Sequence, residues 1–103
     1  MADRANILPT LTGSIARTSA ERFQAQGSTQ LNIVSGCGVN YTLAIQVRKV
    51  ESLSGAAEWR TIDTTDFTAG NHISTVNGNI GAYRVVLTPS ASGESFADAH
   101  EVP

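Results

Sequence analysis

Polar and apolar residues alternate with a period of two through the middle of the chain. Tyr41, Leu43, Ile45 and Val47 share one face of such a run, with Thr42, Ala44, Gln46 and Arg48 on the other. This predicts a strand with one buried face. Tyr83, Val85 and Leu87 repeat the pattern against Ala82, Arg84, Val86 and Thr88. Val86 adds an apolar residue to the second face, so this strand is expected inside a sheet. Leu31 and Ile33 alternate with Gln30 and Asn32 and run into Ser35-Gly36-Cys37-Gly38, whose glycines permit a tight turn. That segment, the turn and the Tyr41 strand are expected to form a hairpin.

Shorter runs predict further strands around Ile15, around Phe23, from Trp59 to Asp63 and from Ile73 to Val76. Trp59 and Ile62 are three apart, which puts them on opposite faces unless a bulge intervenes, so a bulge or a strand beginning after Trp59 is expected. Turn chemistry recurs at Ser52-Leu53-Ser54-Gly55, Thr68-Ala69-Gly70-Asn71, Asn77-Gly78-Asn79 and Ser90-Ala91-Ser92-Gly93. No window places apolar residues at helical spacing. The expected fold is all-β, an antiparallel β-sandwich, immunoglobulin-like or jelly-roll-like, with extended N- and C-terminal arms. Residues 1–12 read as an N-terminal arm, 13–93 as the sandwich domain, and 94–103 as a C-terminal tail anchored only by Phe96 and Val102.

At 103 residues and 10.8 kDa the chain is long enough for one domain and too short for two. Charged residues make up 16% of it, against about 25% in an average soluble domain, so uncharged polar residues must cover much of the surface. The formal charge of −2 leaves no basic footprint for a phosphate backbone, and nucleic acid is not an expected partner. No apolar run approaches the roughly 18 residues of a membrane helix or resembles the core of a signal peptide, so neither a membrane nor a secretion route is expected. A single cysteine cannot close an internal disulfide. Stability must come from packing or from partner subunits.

Candidate chemistry is thin. Cys37 lies between two glycines, and the histidines are His72 and His100. A thiol with two histidines distant in sequence is weak support for nucleophilic catalysis, and Cys37 reads better as a small residue filling a turn or a partly buried pocket. Asp63 and Asp66, separated by two threonines, could present oxygens to a hard cation, yet a calcium loop supplies more acids and a sharper glycine pattern. His72 would need metal-ligating partners that the sequence does not show. Gly36-Cys37-Gly38 lacks the third glycine and the following helix of a phosphate-binding loop. Asn40-Tyr41-Thr42 matches the glycosylation triplet, which means little without a secretion signal. Trp59 is either an exposed sugar-stacking platform or a core plug, and the core reading is favoured, with a cost of about 3–5 kcal/mol on truncation. No catalytic, cofactor-binding or metal-binding residue is assigned, and an enzyme is not expected.

Three segments together carry a resemblance. Leu31-Asn32-Ile33-Val34-Ser35-Gly36 leads through a glycine turn into Tyr41-Thr42-Leu43-Ala44-Ile45-Gln46-Val47. Glu58-Trp59-Arg60-Thr61-Ile62 follows, and later Asn79-Ile80-Gly81-Ala82-Tyr83-Arg84-Val85. This resembles small β-sandwich proteins of tailed-bacteriophage particles, over about 55 residues from Leu31 to Leu87. The resemblance implies a non-enzymatic virion protein, foremost a capsid decoration or cement protein that bridges neighbouring subunits of the head. Its partners would be the major capsid protein or other virion proteins. The modest core and the strand edges with few charges to guard them add further copies of the chain, a homo-oligomer with a trimer favoured. A carbohydrate- or receptor-binding module of a head or tail fibre is the alternative, with Trp59, Tyr41 and Tyr83 as the candidate aromatics. Where such proteins often carry a glycine-aspartate turn before the tryptophan, this chain has Ser54-Gly55-Ala56-Ala57-Glu58, which implies a remodelled loop.

Overall fold

The computed structural model describes residues 3–48 and 58–103. Among the described residues nine strands run in chain order: β1 (Asp3–Gly13), β2 (Arg17–Thr18), β3 (Arg22–Phe23), β4 (Gln30–Cys37), β5 (Tyr41–Arg48), β6 (Trp59–Phe67), β7 (Gly70–Asn77), β8 (Ala82–Pro89) and β9 (Gly93–Val102). One sheet has the order β1-β9-β4-β7. The other has β2-β8-β5-β6, with β3 pairing along β8 beyond β2. All pairings are antiparallel. Apart from β2 to β3 and β5 to β6, each step along the chain crosses from one sheet to the other. That winding is the double Greek key of a jelly roll, which decides between the two sandwich types left open by the sequence.

The core is the set of inward positions on the inner strands. Leu31, Ile33 and Cys37 come from β4, Tyr41, Leu43 and Ile45 from β5, Tyr83, Val85 and Leu87 from β8, and Leu8, Ala97 and Ala99 from β1 and β9. As the alternation requires, β8 lies inside its sheet, between β5 and the short strands β2 and β3. The expected hairpin of β4 with β5 is not formed. Gly38-Val39-Asn40 instead carries the chain across the sandwich, so that the two strands face each other from opposite sheets. Both strands bury one full face, and an arch buries the two faces against each other where a hairpin would only set them side by side.

The expected arm and tail are also corrected. Residues 3–13 form β1, and residues 93–102 form β9, which pairs with β1 on one side and with β4 on the other. The inward residues of β9 are Ser95, Ala97, Ala99 and Glu101, small or polar, so a central strand carries almost no hydrophobic signature. Slips in register on either side of Leu8 let β1 bend around Pro9 while Leu8 still reaches the core. In β6 the register slips between the Ile45–Asp63 and Gln46–Thr61 pairs, which leaves Ile62 as the extra residue of a bulge. The anticipated bulge therefore exists, with Trp59 as the first residue of the strand. Ile15 and Phe23, expected as strand anchors, are both exposed. The remodelled loop at 54–57 and the turn at 52–55 fall outside the described residues.

Candidate functional site: a braced cleft at one end of the sandwich

The connections β1–β2, β4–β5, β6–β7 and β8–β9 lie together at one end of the sandwich. Asn40 ties three of them. It begins in the β4–β5 arch, its main-chain oxygen accepts from Ser90 N–H at 2.9 Å, and its Oδ1 accepts from Ala69 N–H at 3.0 Å. Gly38 N–H donates to Glu94 O at 2.9 Å, and His72 Nε2 lies 2.9 Å from Thr68 O. Each bond satisfies a loop group that strand pairing leaves unpaired, so the loops hold one arrangement. Between them opens a cleft of about 470 Å³. Its polar wall is Asn40, Thr42, Asp66, Thr68, Thr88 and Ser90, and beneath them lie half-buried Phe67 and buried Tyr41 and Pro89. Thr42 Oγ1 donates to Asp66 Oδ1 at 2.8 Å, fixing the carboxylate from the neighbouring strand. Among the described residues Asp66 is the only formally charged side chain lining the cleft.

Beneath the cleft the two sheets are joined by aromatic rings. Tyr41 and Phe67 have centroids 5.3 Å apart, and His72 of the opposite sheet stacks on Phe67 at 4.4 Å with planes 8° apart. The Tyr41 hydroxyl lies 2.8 Å from Ser35 Oγ, both buried. Burial pushes the Tyr41 hydroxyl up from its ordinary value of 10.0, a rise that the Ser35 hydrogen bond opposes.

Beside the cleft, a groove of about 490 Å³ runs along the β1–β2 connection between Leu11 and Ile15. Arg17 closes its base, donating from Nη1 to Ser95 O at 2.8 Å and to Ser95 Oγ at 3.0 Å, and from Nη2 to Pro9 O. One guanidinium thus clamps β2 to the sheet of β1 and β9. At the other end of the sandwich, Glu101 is buried, with Arg22 Nη2 at 3.7 Å and Ala25 N–H donating to its Oε1.

The residues weighed from sequence are scattered. Cys37 ends β4 inside the core, so of the two places expected for it the structure shows the buried one and not the turn. His72 faces inward on β7, whereas His100 alternates with the inward residues of β9 and so faces the other way. Asp63 pairs with inward Ile45 and Asp66 with outward Thr42, so the two carboxylates point to opposite faces of β6. Among the described residues no three His, Cys, Asp or Glu side chains come together. Tyr41 and Tyr83 are core residues, as their alternation with Leu43 and Val85 implies. Trp59 is not the expected core plug. It pairs with Arg48 on the outer face of β6, half-buried, with the Arg84 guanidinium carbon 4.4 Å from its ring centre. Arg84 Nε donates to Gln46 Oε1 at 2.7 Å, and Gln46 Nε2 to Thr61 Oγ1 at 3.2 Å. Thr68 and Ser90 were legible only as turn chemistry, Asn40 only in a glycosylation triplet and Thr88 only on the outer face of a strand, because what makes them a site is the meeting of loops from distant parts of the chain.

No protein-family model matches the chain, and no curated protein matches it in sequence. Solved structures do match. The Yersinia pseudotuberculosis-derived mitogen is similar at a TM-score of 0.63 and 12% identity, over 100% of this chain and 88% of that one. The PBSX exported protein XepA is similar at a TM-score of 0.62 and 14% identity, over 99% of this chain and 37% of that one. This chain therefore spans little more than a third of XepA. At such identities the likeness is one of fold.

Proposed function

We propose that the chain is a non-enzymatic structural module of a bacteriophage particle that works by surface contact, as a decoration or cement subunit bridging neighbours on the head. The observation that carries this reading is the apolar groove at the loop end, where Leu11 is 59% and Ile15 81% exposed. Water-exposed apolar surface in one concave patch is what a subunit contact buries, whereas single exposed apolar residues are ordinary. Ile73, 65% exposed and paired with Val34 on the outer face of β4 and β7, offers a second contact on another side. Contacts on two sides suit bridging, and many copies make weak contacts sufficient. The resemblance of the β4, β5, β6 and β8 segments to small phage-particle proteins supports the particle, and a homo-oligomer, a trimer by preference, would be the unit delivered.

The test is antibody labelling, in electron microscopy, of particles purified from cultures that express the chain. Label on heads in many copies is expected. Label confined to tails, or absent, overturns the head reading. Ile15→Asp should reduce occupancy without changing the melting transition. Light scattering of the isolated protein decides the assembly, since a stable species of about 11 kDa contradicts a preformed oligomer. A second reading, a carbohydrate- or receptor-binding module of a fibre, has the braced cleft in its favour.

A further inference from the structure

The cleft has a chemistry that narrows its ligand. Six side chains with hydrogen-bonding groups converge there from three loops and the strand ends beside them, and only one of them, Asp66, carries a charge. An anionic ligand would meet that carboxylate with no lysine or arginine among the described residues lining the cleft to balance it. A hard cation needs about six to eight oxygen ligands with several carboxylates among them, and the cleft lines up one. A neutral polyol fits both limits. Its vicinal hydroxyls donate to a carboxylate in charge-assisted bonds, and threonine and serine hydroxyls accept or donate as the partner requires. Its C–H face packs on half-buried Phe67, the one apolar lining residue that is not fully buried. Volume agrees, since about 470 Å³ lies in the range of small-ligand sites.

Two features make the cleft a preformed site. Thr42 Oγ1 holds Asp66 Oδ1 at 2.8 Å, which leaves Oδ2 of this exposed residue for a ligand. Asn40 is held through its main-chain oxygen and its Oδ1 by two other loops, so the walls need little ordering when a ligand enters.

We infer that this cleft binds one neutral sugar residue, with Asp66 accepting from a vicinal hydroxyl pair and Thr42 positioning Asp66. The inference deepens the fibre-module reading and names its ligand class and residues. It is independent of any place on a particle, because it is tested on the isolated chain.

The experiment is amide NMR titration of the isotope-labelled full chain with glucose, galactose, mannose and N-acetylglucosamine separately, and with glucuronate and calcium chloride as counter-probes. At least one neutral sugar should shift the amides of Thr42, Thr68, Thr88 and Ser90 with a dissociation constant on the order of millimolar. Glucuronate should bind more weakly, and calcium alone should leave these amides unmoved. Asp66→Asn should weaken sugar binding about tenfold or more, and Thr42→Val should weaken it to a lesser degree. Both sites are at the surface, and the same spectra report whether each variant is folded. No shift in the cleft with any neutral sugar overturns the inference, as does undiminished binding by Asp66→Asn, tighter binding of glucuronate, or a response to calcium alone. Particle labelling does not depend on any of these outcomes, so the two proposals fail separately.

Discussion

Ser35 Oγ and Tyr41 OH meet at 2.8 Å in the buried centre of the molecule, one from each sheet, across the three-residue arch that joins β4 to β5. Each hydroxyl is the other's partner, so neither can be removed alone without leaving a buried polar group unpaired. Ser35→Ala and Tyr41→Phe should each cost about 1–3 kcal/mol, and the double variant should cost less than their sum. Urea unfolding of the four proteins measures this. A strictly additive double variant would show that the bond contributes nothing.

Tyr83 leads to a prediction about pH. It is fully buried, its hydroxyl has no well-formed hydrogen bond among the described residues, and burial pushes its pKa up to about 12, opposed by the charge and the side chain of nearby Arg22 and reinforced by the charge of Glu101. An unfolded tyrosine titrates at 10.0. The folded state therefore holds this proton more tightly, and stability is undiminished below the unfolded value and falls as pH rises from there toward about 12. The fall amounts to roughly 2–3 kcal/mol. Tyr83→Phe should flatten the alkaline limb of the stability profile and cost little at neutral pH. An unchanged alkaline limb in that variant would count against the assignment.

How much of this was legible in the sequence depended on which face of a strand carried the signal. β5 and β8 bury large aliphatic and aromatic residues at every second position, β4 does so at Leu31 and Ile33, and their alternation was plain. β9 is as central as β4, but it packs through Ser95, Ala97, Ala99 and Glu101, which alternate in size and not in polarity. β1 is interrupted by Pro9. Those two strands consequently read as a tail and an arm. The β4–β5 arch was misread for a different reason, since a three-residue link that opens with a glycine serves a hairpin and a sheet-crossing arch equally well. The cleft was out of reach because Asn40, Asp66 and Thr88 lie far apart in sequence and are joined only by the jelly-roll winding.

Trp59 lies on the outer face of the β6 edge strand under Arg84, so its loss should not resemble loss of a core aromatic. Trp59→Ala should cost on the order of 1 kcal/mol, the scale of an exposed cation–π contact with modest burial, and well short of the 3–5 kcal/mol of a core cavity. Arg84→Ala should uncover the ring and raise its quenching by iodide. A Trp59→Ala protein that fails to fold would restore the core reading.

Gly36 is the one place in β4 where a side chain has no room. A Cβ there would meet Asn71 Oδ1 and the Cε1 of the Phe96 ring. Asn71, exposed on β7, can swing away, but the Phe96 ring must leave its place over the strand. Gly36→Ala should destabilise by about 1–3 kcal/mol, and Phe96→Ala in the same chain should return part of that loss. Thermal melts of the single and double variants test the pair, and equal melting temperatures for wild type and Gly36→Ala would refute the contact.

Removal of residues 1–12 separates the observed fold from an arm docked on a finished sandwich. A detachable arm could be deleted with the sandwich intact. In the jelly roll the deletion takes nearly all of β1 with it, so β9 loses its partner from Thr12 back to Asp3 and becomes a bare edge. It also removes buried Leu8 from the core and takes Pro9 O from the Arg17 clamp. Loss of one buried leucine side chain alone costs about 2–5 kcal/mol, a large part of the roughly 5–15 kcal/mol that holds a domain together. The truncated chain should therefore lose its cooperative melting transition or melt far lower, and it should associate through the exposed β9 edge. Circular dichroism melts and size-exclusion chromatography read both effects. A truncated monomer with an unchanged melt would mean that β1 contributes nothing to the sandwich.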